Sequence, residues 1–193
     1  MQIKKVKFRD VEKMAKLHLE TLPDISSSIG LSAVTKLYKL IFNTPKIHSC
    51  FSAWEDGEFL GFVVISKNMD LTHKLFHEIF SIKNVIVLSF MIITFKVSFL
   101  RIVNRIFFEK KLTKIIGKNY CCISTICVNE KYQRKGIGKL LLIEALKDIQ
   151  KLKNKRLYVY TRFDNKKALN FYNKFGFKKI GVFYSGVVFK YSL

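Results

Sequence analysis

The spacing of apolar and polar positions changes several times along the chain, and each change marks an element. "IKKVKF" (3–8) alternates apolar and basic residues, which predicts a strand. Asp10 then precedes Val11, Met14, Leu17 and Leu19, a helical spacing that runs to about Leu22, with Pro23 just beyond. "SSS" (26–28) precedes Leu31, Val34, Leu37, Tyr38 and Ile41, which predicts a second helix. "HSCFSAWEDGEFLGFVVIS" (48–66) holds two strand-like runs around Asp56-Gly57 and predicts a hairpin.

From 68 to about 118 the pattern is helical. Leu71, Leu75, Phe76, Ile79 and Phe80 fit one helix, and an apolar and basic stretch from about 84 to 112 fits another. "YCCISTICV" (120–128) predicts a strand, residues 137–152 a helix, and "RLYVYTRF" (156–163) a strand. Asp164 and Asn165 stand where they can cap a short helix over 166–175. "FGFKKIGVFY" and "GVVFKYSL" close the chain as two strands turned at Ser185-Gly186. The order is β, two helices, a hairpin, an inserted helical block, then β-α-β-α-β-β, the order of a mixed α/β sheet.

Composition narrows the class. The chain has 193 residues, 49% of them hydrophobic, with 18 Phe, so it folds around a sizeable core. Only two prolines occur, and no Gly/Ser/Pro-rich linker divides the sequence, which predicts a single domain over 1–193 with an insertion at about 68–118. The net charge of +21 favours anionic partners, although Lys scattered among Ile, Asn and Phe also reads as compositional drift. Cys50, Cys121, Cys122 and Cys127 form no CxxC pair, which predicts reduced, buried thiols in a cytoplasmic protein and no zinc site. His73 and His77 stand four apart without the H-E-x-x-H order or a third ligand, so no metal is expected. The N-terminus lacks an apolar signal-like run. "VIVLSFMIITF" (85–95) is 11 residues without a charge, too short to span a bilayer.

The stretch "YQRKGIGKLLLIEALKDIQ" (132–150) carries the chemistry. A turn with Gly136 and Gly138 follows a strand and opens a helix, where free amides and the helix dipole attract an anion. Arg134, Lys135 and Lys139 add charge, and a pyrophosphate is the natural guest. A Walker loop would need G-x-x-x-x-G-K-[ST], and a dinucleotide fingerprint would need a third glycine where Leu141 stands. A flexible turn at a helix start is the plain alternative.

The wider pattern resolves this. Gln133-x-x-Gly136-x-Gly138 is followed about 30 residues later by Asn165, Ala168, Phe171-Tyr172 and Gly176-Phe177. Over roughly 120–184 the chain resembles the GNAT superfamily of acetyl-CoA-dependent N-acyltransferases. The resemblance implies a GNAT-like, mostly antiparallel mixed sheet with a central splayed strand pair, flanked by helices. It implies acetyl-CoA as acyl donor and no metal. Ile126, Cys127 and Val128 would pair with the pantetheine arm beside a strand bulge. The loop Gln133, Arg134, Lys135, Gly136, Ile137, Gly138 and Lys139 would hold the pyrophosphate, and Asn165 would contact the cofactor while also capping its helix. Tyr172 matches the usual general acid, with a packed core aromatic as the plain alternative.

The general base stays open. Some relatives place a Glu where Tyr160 stands, and neither central strand carries a carboxylate. Glu20 is a candidate, though a solvated surface carboxylate explains it as well. Cys127 has no neighbouring His in sequence to activate it as a nucleophile. The insertion reads three ways: an acceptor lid or homodimer surface, a peripheral membrane contact through 84–112, or a helical hairpin packed on the core. The expected function is N-acetylation of a primary amine, on a small molecule such as an amino sugar or its nucleotide, or alternatively on a protein or peptide. A non-catalytic CoA-binding or membrane-associated role is a further reading. Nucleic acid is not an expected partner, since no recognition motif occurs.

Overall fold

The computed structural model describes residues 1–22, 30–79, 116–152, 156–183 and 186–192. Several sequence expectations lie wholly or partly outside them, among them "SSS" at 26–28, most of the insertion (80–115), the membrane-contact segment 84–112, and Ser185 of the turn at Ser185-Gly186. The described residues form seven strands, mixed and mostly antiparallel, with helices, in the expected α+β class. They fall in two compact units, Met1–Lys67 with Ile123–Lys153, and Asn68–Cys122 with Asn154–Leu193.

In the first unit the strands are β1 (Gln2–Lys5), β2 (His48–Glu55), β3 (Glu58–Ser66) and β4 (Cys121–Val128, whose first two residues belong to the second unit). They lie in the order β1-β2-β3-β4. The β2–β3 hairpin turns where the dipeptide predicts: Asp56 and Gly57 both take positive φ, 47° and 81°, as the tight turn between twisted strands requires. β1 is shorter than expected. After Lys5 the chain enters a 3₁₀ turn, Phe8–Asp10, because the Asp10 carboxylate accepts the Lys7 amide at 2.9 Å and bends the backbone back. Asp10 thus caps that turn, and makes no side-chain cap to the helix that follows.

Helices α1 (Val11–Thr21) and α2 (Leu31–Phe42) cover one face. Val11, Met14, Ala15 and Leu17 of α1 and Val34, Tyr38 and Ile41 of α2 form a buried cluster with Phe62, Val64 and Cys127. His18 is buried in the same region and its Nδ1 lies 2.7 Å from the Tyr38 hydroxyl. Helix α4 (Ile137–Gln150) lies against β2 and β3, and its Leu141, Leu142, Ala145 and Ile149 are fully buried. Leu141 is therefore a core residue, which is why the third glycine of a dinucleotide fingerprint has no place there.

In the second unit α3 (Met69–Ile79) begins the inserted block, and β5 (Arg156–Arg162), β7 (Gly186–Ser192) and β6 (Lys178–Phe183) form an antiparallel sheet in the order β5-β7-β6. Helix α5 (Lys166–Lys174) precedes β6. Gly186 was expected in a turn and is instead the first residue of β7, paired with Arg162 and Phe183. Glycine is needed there for space: a Cβ at Gly186 would collide with the ring of Tyr160.

The two ends of the inserted block are tied together. Asn68 Oδ1 accepts the Leu71 amide at 3.1 Å, and the Met69 amide donates to the Tyr120 carbonyl at 3.0 Å. Asp70 accepts the Asn119 amide at 2.8 Å, and Asn68 donates to the Asn119 side chain at 3.2 Å. Arg156 donates to the carbonyls of Ile116, at 2.9 Å, and Lys118. Among the described residues no helix is long and apolar enough to cross a membrane.

Candidate active site

The predicted donor-binding residues of the first unit all lie along one continuous path, the end of β4, the loop after it and the start of α4. The path begins with an irregularity. The Ser124 and Ser66 hydroxyls are 2.6 Å apart, and Cys127 packs with Phe62 and Val64. Phe62, Val64 and Ser66 alternate along one face of β3, so Ser124 and Cys127 share that face although they are three residues apart. A regular strand would place them on opposite faces. β4 therefore departs from regular two-residue alternation between Ser124 and Cys127.

Gly61 makes that strand end fit. A Cβ there would stand 2.5 Å from the Cys127 carbonyl oxygen and 3.2 Å from the Val128 Cα. Beside it, the register of β2 and β3 shifts at Ala53/Trp54, and the Leu60 carbonyl accepts the Asn129 amide at 2.9 Å. An isolated glycine inside "EFLGFVVIS" was the available signal for this close approach. Cys127 is buried among the α1 and α2 side chains. None of the four cysteines is in a disulfide, and burial pushes the Cys50 thiol up to about 12 against the opposing pull of Lys67.

The loop is built by local hydrogen bonds. Asn129 Oδ1 accepts the Lys131 amide at 3.1 Å and opens a 3₁₀ turn, Glu130–Tyr132. Gln133 Nε2 donates to the Val128 carbonyl at 3.1 Å, which folds its side chain back onto the strand end. Arg134 takes φ 63°, a left-handed conformation uncommon for a residue with a Cβ. Gly136 follows with φ 83° as the N-cap just before α4. Nothing lies within 4 Å of a Cβ built at Gly136, so glycine is needed there for its backbone angle.

Helix α4 starts with no side-chain cap and no acidic residue in its first turn. Its first intrahelical bond runs from the Leu140 amide to the Gly136 carbonyl at 3.1 Å, so the amides of Ile137, Gly138 and Lys139 have no acceptor within the helix. Arg134, Lys135 and Lys139 are exposed around them. Uncapped amides, a dipole and three cations make this end of the helix suited to a phosphate group.

The second unit holds the other two candidates on one short helix. Asn165 Oδ1 accepts the Ala168 amide at 3.0 Å and caps α5. Asp164 does not share that role. It pairs with Arg162, whose Nε donates to Oδ1 at 2.9 Å, and this bond holds the Asp164 carboxyl below its usual range. Tyr172 is 4% exposed. Its ring centroid lies 5.3 Å from Phe171, 5.3 Å from Phe177 and 6.0 Å from Phe189, so it contributes to the packing of α5 whatever else its hydroxyl does. Tyr160 is partly exposed and sits over Gly186, while Glu20 is exposed on α1.

A family model described as the acetyltransferase (GNAT) family matches residues 97–177. The chain is similar to an N-alpha-acetyltransferase of Sulfurisphaera tokodaii, 35% identical over 74 residues. Those residues are 38% of this chain and 43% of that protein, so the match spans less than half the relative's length. Among solved structures, PH1933 from Pyrococcus horikoshii OT3 shares the fold with a TM-score of 0.64 and 21% identity, covering 98% of this chain and 96% of that one. The paia N-acetyltransferase from Thermoplasma acidophilum in complex with coenzyme A gives 0.63 at 17% identity, covering 100% and 98%. The ribosomal-protein-S18-alanine N-acetyltransferase from Escherichia coli gives 0.60 at 13%, covering 98% and 91%. At such identities the structural likeness is one of fold.

Proposed function

We propose that the chain is an acetyltransferase of the GNAT family, whose model matches residues 97–177, and that it moves an acetyl group from acetyl-CoA to a primary amine. The observation that carries the proposal is the start of α4: left-handed Arg134 and Gly136 lead into three amides with no helical acceptor, ringed by cations. The residues fit the donor. The amides from Gln133 to Lys139 bind the pyrophosphate, and Ile126, Cys127 and Val128 offer backbone groups at the strand end to the pantetheine amides. Asn165 adds a contact to the donor. No part of this assignment calls on a metal.

The neutral amine attacks the thioester carbonyl carbon, the C–N bond forms and the C–S bond breaks. A base, acting directly or through water, takes the proton from the amine nitrogen. Tyr172 gives its hydroxyl proton to the departing sulfur; a phenol with an ordinary pKa near 10 can donate to a thiolate within hydrogen-bond reach.

We assign the acceptor to a small-molecule amine such as an amino sugar or its nucleotide; the net charge of +21 favours the anionic, nucleotide-linked form. A second reading, the N-terminal amine of a protein, is favoured by the similarity to an N-alpha-acetyltransferase. The test is incubation with acetyl-CoA and a pool of amino sugars, nucleotide-linked amino sugars, polyamines, amino acids and short peptides, read by mass spectrometry. Acetyl gain confined to small amines supports the first reading, and gain on peptides the second. No acetylated product from any amine argues against the enzyme reading.

A further inference from the structure

The loop after β4 is held to β3 at two points. One is the Asn129 amide on the Leu60 carbonyl, at 2.9 Å. The other is a side-chain bond between residues 74 apart in sequence: the Tyr132 hydroxyl donates to Glu58 Oε2 at 2.5 Å. This bond, with burial and the nearby Glu58 and Glu55 carboxylates, raises the Tyr132 phenol above its ordinary pKa, so it stays a proton donor. The Lys135 ammonium lies 5.1 Å from the centre of the Tyr132 ring, a cation–π distance. Glu58, Tyr132 and Lys135 thus form a chain from the hairpin to the residue before Gly136.

We propose that Tyr132 is a positioning residue for the acyl donor, pinned by Glu58 and holding the Lys135 charge beside the α4 amides that take the donor's pyrophosphate. The inference rests on the pyrophosphate reading of that loop. A lysine on a free tether spreads its charge over many rotamers. One held against a ring anchored to β3 keeps its charge near the phosphate, so less freedom is lost on binding.

The test is calorimetric titration of the full chain with acetyl-CoA, with steady-state kinetics on whichever amine the pool assay identifies. Tyr132→Phe keeps the ring and loses the bond to Glu58, and is expected to weaken donor binding about threefold. Tyr132→Leu loses both contacts and is expected to weaken it about tenfold. In both, the donor KM rises while kcat holds. Glu58→Gln keeps an acceptor for the phenol and stays near wild type. Lys135→Ala weakens binding in the wild-type background and adds little in Tyr132→Leu. Wild-type affinity in Tyr132→Leu, or full additivity of the Lys135 and Tyr132 losses, overturns the inference. Gly138→Val in parallel separates the two failures. If it binds normally, the pyrophosphate reading falls and this inference with it; if it binds poorly while the Tyr132 variants bind well, only the inference falls.

Discussion

The amide of Phe177 donates to the carbonyl of Tyr172 at 3.0 Å, closing the end of α5 over its own candidate acid. The amide of Gly176 donates to the Asn173 carbonyl at 3.1 Å, and Gly176 takes φ 86°. These are the paired bonds of a Schellman cap, in which the residue after the glycine folds back on the last turn. Phe177 does so, with its buried ring edge-on to Tyr172 at 5.3 Å. The Tyr-x-x-x-Gly-Phe spacing therefore has a mechanical reason besides any catalytic one: the cap fixes the backbone that carries Tyr172.

Gly176→Ala tests that cap. Nothing lies within 4 Å of a Cβ there, so the cost is the left-handed backbone alone, about 1 kcal/mol. We expect a lower melting temperature with a folded, active protein.

Gly61→Ala meets a harder obstacle. Its Cβ would press on the Cys127 carbonyl oxygen at 2.5 Å, backbone against backbone, so strands must move apart. We expect a loss of stability of about 2 kcal/mol and weaker acetyl-CoA binding, measured by denaturation and calorimetry. Unchanged affinity would separate the strand end from donor binding.

Tyr172→Phe keeps the packed ring and removes the proton. Turnover should fall by about a hundredfold or more while acetyl-CoA affinity stays close to wild type. A wild-type rate removes Tyr172 as the acid.

His48 makes stability depend on pH. Burial, aided by Lys67 and opposed by a bond to the Thr44 backbone, lowers its pKa to about 4 from 6.5. Its Nδ1 also lies 2.8 Å from the Thr44 hydroxyl. The folded state therefore binds fewer protons than the unfolded state between these values. The contribution is complete above about 6.5 and is lost as pH falls towards 4, up to roughly 3 kcal/mol. Urea melts from pH 7 to 4 should show the decline, and His48→Gln should flatten it.

Local chemistry made much of this protein legible from its sequence. Asp56-Gly57 specifies its turn because two adjacent residues must take positive φ, and Asn165 specifies a helix start because its own side chain reaches an amide three residues on. Gly136 marks the loop for the same reason, its conformation being a property of one residue. Other features depend on partners far away in the chain. The irregular alternation of β4 arises because Ser124 and Cys127 answer to the same face of β3. Gly61 is required because β4 lies against it, and Tyr132 meets Glu58 across 74 positions. A period of two or 3.6 assigns a face to a residue but does not say which distant backbone will lie against it. That is decided only when strands pair and the excluded volume of one meets the other.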